Sequence, residues 1–166
     1  MSDAAYRVLG IDPGLNITGY GVVDFAAGGP RIIEAGAIRT VAKADMPARI
    51  AQIYADVKEI IAEFHPDCVA IEKLYSHYGH PLTSVLMGHA RGVILLAAAQ
   101  AGITVLNLPA TKVKKSLTGN GHASKLQMQR SVQSVCKLPE LPTPPDVADA
   151  IAIALCAGSG RSYVHE

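Results

Sequence analysis

The sequence predicts an α/β fold: a central mixed sheet of five strands, the first three antiparallel, with helices on both faces. Three observations predict it. Three strand-like runs come before any helical periodicity, an amphipathic helix and a wholly apolar strand follow, and helices then dominate to the end of the chain.

The first run, Tyr6 to Asp12, is β-rich and stops at Asp12-Pro13-Gly14, a turn signal. Thr18 to Asp24 follows so closely that the two predict an antiparallel hairpin. Gly28-Gly29-Pro30 turns the chain into a third strand, Arg31 to Arg39. Ile50, Ile53, Tyr54, Val57, Ile60, Ile61 and Phe64 then fall on one face of a 3.6-residue period. Pro66-Asp67 ends that helix. Cys68 to Ile71 has the unbroken apolarity of a strand buried on both faces, and it ends at Glu72.

Residues 75–82, rich in Tyr, His, Gly and Pro, read as a loop. A helix is expected from Thr83 to Gln100, a strand from Ile103 to Leu108 and a helix over 110–117. The glycine-rich turn Thr118 to His122 leads into a helix from Ala123 to Cys136. Pro139, Pro142, Pro144 and Pro145 stiffen the approach to a last helix, Asp146 to Ala157. No repeat or low-complexity tract divides the 166 residues, which read as a single domain, 1–166.

Composition narrows the function classes. With 49% hydrophobic and 17% charged residues, the chain is too apolar for disorder. Cys68, Cys136 and Cys156 are scattered among apolar residues, as small buried hydrophobes in a reducing cytoplasm would be, and do not suggest a disulfide framework or zinc site. The N-terminus lacks the pattern of a signal peptide, and the longest apolar stretch, Gly92 to Ala99, falls short of a membrane span.

The net charge of +1 is uninformative, but its distribution is not. From Lys73 to Pro139 there are 67 residues without an Asp or Glu, holding eight Lys and Arg and four His; the first 72 carry ten acids against six Lys and Arg. A polyanionic partner favours such segregation.

Four acids stand out. Asp12 and Glu72 each end a predicted strand, and sites in open α/β sheets gather outside the carboxyl ends of strands. Asp146 and Asp149, three apart, share a face of the last helix. Structural alternatives exist: Asp12 as a turn residue, Glu72 as an ordinary strand-end acid, and Asp146 as a partner of the helix dipole. Asp149 lies in a segment apolar on nearly all sides, where a carboxylate is costly unless a cation or proton compensates it. Converging carboxylates repel, and divalent cations relieve the repulsion. An oxygen-only set without thiolate or histidine favours Mg²⁺ or Mn²⁺ over zinc.

These segments resemble the RuvC family of Holliday-junction resolvases. Leu9-Gly-Ile-Asp-Pro-Gly14 with Thr18-Gly-Tyr-Gly-Val22 resembles its opening motif, and Ala70-Ile-Glu-Lys73 its second acidic motif. Gly88 to Val93 resembles the helix that follows. Val113-Lys114, Gly119-Asn-Gly121 and Lys125 resemble its basic segment, and Asp146 to Ala154 its closing motif. The match runs in order over nearly the whole chain.

The resemblance implies an RNase H-like fold, a homodimer and a Mg²⁺-dependent endonuclease of four-way junction DNA, acting in recombination and repair beside a RuvA-RuvB branch-migration complex. It assigns Asp12, Glu72, Asp146 and Asp149 to catalysis and to metal binding, with two Mg²⁺ expected and Mn²⁺ as a substitute. It places Lys114 and Lys125 near the scissile phosphate, and Tyr75 where an aromatic side chain stacks on a junction base. The loop after Tyr75 departs from the family pattern, and the chain ends at Glu166 without a basic tail. Two other readings stay open: a junction-binding protein without catalysis, and part of an actin- or sugar-kinase-like ATP-binding module, which needs two domains around its nucleotide.

Overall fold

The computed structural model of the protein describes residues 4–74 and 79–160. Strands β1 (Tyr6–Asp12), β2 (Ile17–Ala26) and β3 (Gly29–Arg39) precede helix α1 (Met46–Phe64) and strand β4 (Cys68–Glu72). Helix α2 (Pro81–Gln100), strand β5 (Thr104–Leu108) and helices α3 (Ala110–Thr118), α4 (Lys125–Val135) and α5 (Pro145–Ser159) complete the order. The sheet runs β3-β2-β1-β4-β5. β1 pairs antiparallel with β2, and β2 with β3, while β1–β4 and β4–β5 are parallel. The expected fold class is therefore present.

Alternation along the strands sorts the core into two layers. Leu9, Ile11, Val69 and Ile71 face α1 and α2, where Ile53, Val57 and Ile94 are fully buried. Val8, Cys68 and Ala70 face the other way, onto α5 with α3 and α4 behind it. The all-round apolar character of α5 follows from this position: it packs on β1 and β2 on one side and on α3 and α4 on the other. Residues 150–156 of α5 are all buried.

Element ends differ from the sequence expectation where capping decides them. α2 begins at Pro81, not Thr83, because proline fits the first helical turn, where its missing N–H goes unused. α4 begins at Lys125, not Ala123: Ser124 accepts from the Gln127 amide, and Gln127 reaches back to the Ser124 amide. α5 starts at Pro145 and runs to Ser159, just past the expected bounds.

A second correction concerns α2. At 20 residues and a mean hydropathy of 1.5 it is long and apolar enough to cross a membrane, although the longest apolar stretch looked too short. Its inward face is nonetheless committed to the protein: Ala90, Ile94, Ala97 and Ala98 are buried against the α1 side of the sheet. Arg91, midway along, hydrogen-bonds to β4 and β5.

Candidate active site

Parallel pairing of β1 with β4 brings the first two acids together. The register matches Gly10 with Ala70 and Ile11 with Ile71, so Asp12 and Glu72 follow next on adjacent strand ends. Alternation turns both side chains to the face covered by α5. Beyond this point the chain leaves β1 toward β2 and leaves β4 toward β5, which opens a crevice between the two strand ends.

The turn after Asp12 is held without its carboxylate. The Thr18 hydroxyl donates to the Gly14 carbonyl oxygen at 2.7 Å and accepts from the Gly14 amide at 3.3 Å. Thr18 is fully buried in this role. The Asp12 carboxylate has no hydrogen bond or ion pair among the described residues, so a turn-forming role does not account for it.

Glycines bring the other two acids down onto the sheet. A β-carbon at Gly10 would lie 2.2 Å from the Ala150 carbonyl oxygen, and one at Gly19 would lie 2.1 Å from that of Asp146. At Gly21 it would meet the Ile151 side chain at 2.8 Å. Gly10 pairs with Gly21, and Asp12 with Gly19, so these glycines form a bare track across β1 and β2 on which α5 rests. Nothing bulkier would let the helix backbone approach so closely. Asp146, in the first turn of α5, and Asp149, one turn on, are thereby carried to Asp12.

The electrostatics record that convergence. The Asp12 carboxyl is pushed up to about 8, first by burial and then by the negative charges of Asp149, Glu72 and Asp146. Glu72 is raised by burial and by Asp149. Asp149 is raised chiefly by burial, with Asp146 adding to it. Two lysines oppose the effect from α3 and α4: Lys125 lowers Asp12 and Asp149, and Lys114 lowers Glu72 and Asp149. Lys114, Lys125, Glu72 and Asp149 line one cavity of about 200 Å³.

The donor set fits hard divalent cations: oxygen ligands only, half-buried, with negative charge in excess. The acids stop short of a closed cage, since among the described residues no three Asp, Glu, His or Cys side chains are disposed to hold a metal.

Six of the seven sequence-predicted site residues thus gather at one end of the sheet, and the seventh, Tyr75, lies outside the described residues. Arg91 was missed as part of this region. Its Nε donates to the Glu72 main-chain oxygen at 3.3 Å, and its terminal nitrogen bonds the Asn107 side chain. Its signal, the one Asp, Glu, Lys or Arg in a largely apolar helix of 20 residues, was present in the sequence.

Residues 8–157 match the profile of the family described as crossover junction endodeoxyribonuclease RuvC. The chain belongs to the RuvC family. The crossover junction endodeoxyribonuclease RuvC of Rhodopirellula baltica is 49% identical over 155 residues, covering 92% of this chain and 86% of that protein. Thermus thermophilus RuvC, solved in complex with a Holliday junction substrate, superposes with a TM-score of 0.87 at 34% identity, over 95% of this chain and 96% of that one. A yeast mitochondrial Holliday junction resolvase shares the fold, with a TM-score of 0.66 at 13% identity over 95% and 81% of the two chains. The architecture is accordingly the RNase H-like one of RuvC, and nucleases of this family are metal-dependent.

Proposed function

We infer that this chain is a Holliday-junction resolvase whose active site is formed by Asp12, Glu72, Asp146 and Asp149. The observation that carries the reading is a set of half-buried carboxylates without an ion-pair partner among the described residues, Asp12 and Glu72 at adjoining strand ends and Asp149 on the helix beside them, with two lysines near, in a member of a crossover junction endonuclease family. The reaction is hydrolysis of a phosphodiester in four-way junction DNA, leaving 5′-phosphate and 3′-hydroxyl ends that a ligase can seal.

The four carboxylates would hold Mg²⁺, two ions per site, with Mn²⁺ able to substitute. Bound there, the ions would activate a water nucleophile and stabilise the leaving oxygen. The protein's own part is placement. The β1 and β4 ends fix Asp12 and Glu72, and the glycine track fixes Asp146 and Asp149. Lys114 and Lys125 neutralise charge on the phosphate as it builds in the transition state. Tyr75 supplies a stacking surface for a junction base.

Paired nicks in a two-fold junction call for a two-fold enzyme. The outward face of α2 suits a homodimer: Leu82, Val85 and Leu96 are 69%, 57% and 48% exposed. RuvA-RuvB is the branch-migration complex with which such a dimer would cooperate, and a cytoplasmic location accords with action on chromosomal junctions. A Val85→Glu variant is expected to be monomeric in analytical ultracentrifugation, and a dimer that persists would exclude this face.

The decisive assay uses a labelled synthetic four-way junction with Mg²⁺ or with EDTA. Duplex DNA and ATP hydrolysis serve as controls. Symmetric cuts in the junction, dependent on Mg²⁺ and absent from the duplex, are expected. Junction binding without cuts in any divalent cation would instead favour a non-catalytic junction binder.

A further inference from the structure

Residues 13–16, which connect Asp12 to β2, belong to no strand, and the parallel ladder between β1 and β4 ends at Ile11. Thr18 closes this turn from within by its two bonds to Gly14. The outer side of the turn is held from α1. The Thr40 hydroxyl donates to the Leu15 carbonyl oxygen at 2.5 Å and accepts from Arg49 Nε at 3.0 Å. A terminal nitrogen of Arg49 donates to the Asn16 side-chain oxygen. The Thr40 amide donates to the Asn16 carbonyl oxygen at 3.1 Å. One guanidinium thus grips the turn twice, directly at Asn16 and through Thr40 at Leu15.

The base of this clamp is anchored. Arg49 stands at the start of α1, where the Asp45 side chain accepts from the Ala48 amide at 3.0 Å. Further along, Ile53, Val57, Ile60 and Ile61 bury the same helix in the core that contains Leu9 and Ile11 of β1. Leu15, whose carbonyl Thr40 holds, belongs to that core as well. A planar fork of N–H donors lets arginine bridge two acceptors at once, which a lysine ammonium does not reproduce. We propose that Arg49 is a positioning residue for Asp12: through Thr40 and Asn16 it fixes the turn that aims this carboxylate. The inference rests on the reading of Asp12 as a catalytic carboxylate, and it extends the catalytic apparatus to the first turn of α1. Misplacing a reacting group by about 1 Å can cost on the order of a hundredfold in rate, so loosening this turn should show in turnover.

The test compares wild type with Arg49→Lys, with Thr40→Val, which removes the hydroxyl, and with Thr40→Ser, which keeps it. All are measured at a temperature where melting curves show every variant folded. Amide hydrogen exchange in metal-free protein reports on the clamp without any cleavage. The Gly14 and Thr40 amides, both hydrogen-bonded at the turn, should exchange about tenfold faster or more in Arg49→Lys and Thr40→Val. Exchange along β4 should be unchanged, and Thr40→Ser should stay close to wild type. On a labelled four-way junction with Mg²⁺, the single-turnover cleavage rate should fall about ten- to a hundredfold in the same two variants, with the junction Kd within about twofold. Thr40→Ser should restore the rate. Wild-type cleavage in Arg49→Lys and Thr40→Val, exchange that quickens equally along β4, or a defect confined to junction Kd would each overturn the proposal. Local loosening in the variants of a chain whose wild type cuts no junction would retain the clamp on the turn and reject the resolvase reading.

Discussion

The two ends of β1 carry charge in opposite ways. At Arg7 every charge is answered. Its Nε and terminal nitrogen donate to the Asp24 carboxylate at 2.6 and 2.9 Å, and its other terminal nitrogen donates to the Phe64 carbonyl oxygen at 2.7 Å. The Arg7 amide bonds Asp67 at 2.7 Å, and Asp24 is held below its ordinary range by Arg7. At the Asp12 end, burial is paired with repulsion, and Asp12 is pushed up to about 8. The only ion pair among the described residues is the one at the Arg7 end. One end of the strand pairs its charges, and the other gathers negative charge that no ion pair answers among the described residues.

The strongest way to break this contrast is at Asp12. Asp12→Asn should lower Mg²⁺-dependent junction cleavage on the order of a thousandfold or more, with binding retained in a gel-shift assay. The same residue governs stability in metal-free protein. A carboxyl raised on folding favours the folded state while protonated, so that contribution is full near pH 4 and fades as pH rises toward about 8. Thermal melts in EDTA across that range should fall less steeply for Asp12→Asn than for wild type. A steeper fall in the variant would mean the carboxylate is paired after all.

Gly10→Ala addresses the track instead of the charge. Its β-carbon cannot coexist with the Ala150 carbonyl 2.2 Å away, so α5 must lift. About 1–3 kcal/mol of stability should be lost in urea titration, together with most cleavage activity even at temperatures where the variant stays folded. Lys125→Ala should cost on the order of ten- to a hundredfold in cleavage rate. It should also raise the Asp12 and Asp149 carboxyls further, since Lys125 lowers both; carboxyl titration by NMR checks this.

Arg7→Ala should have the smallest effect on chemistry. It leaves Asp24 and the Phe64 carbonyl without their donor, at about 2 kcal/mol in chemical denaturation, while cleavage per folded molecule stays within about twofold. Asp24 would then titrate nearer its ordinary range, and the stability it contributes above that range, lost as pH falls through it, would disappear. A large cleavage defect in Arg7→Ala would join the two ends that the structure keeps separate.

Much of this was legible in the sequence because the signals are local. The Asp12-Pro13-Gly14 turn, the apolar run ending at Glu72 and the i, i+3 pair Asp146 and Asp149 follow from neighbours a few residues away. The acid-free stretch of 67 residues contains both Lys114 and Lys125, which do face the carboxylates. Other features join residues distant in the chain and leave no local mark. Gly10, Gly19 and Gly21 look like ordinary strand glycines until α5 is laid on them; only then does the missing β-carbon become the reason Asp149 reaches Asp12.

By itself, then, the sequence determined the order of elements, the two strand ends that carry acids and the side of the chain that carries cations, since each depends on periodicity, turns and composition. The tertiary structure alone decided which side chains meet. Parallel pairing set Asp12 beside Glu72, close helix packing delivered Asp146 and Asp149, and the fold opened a cavity walled by α2 and α3 beside them. Burial and mutual repulsion exist only once those long-range contacts form, which is why four individually ordinary carboxylates become a candidate site in the folded chain.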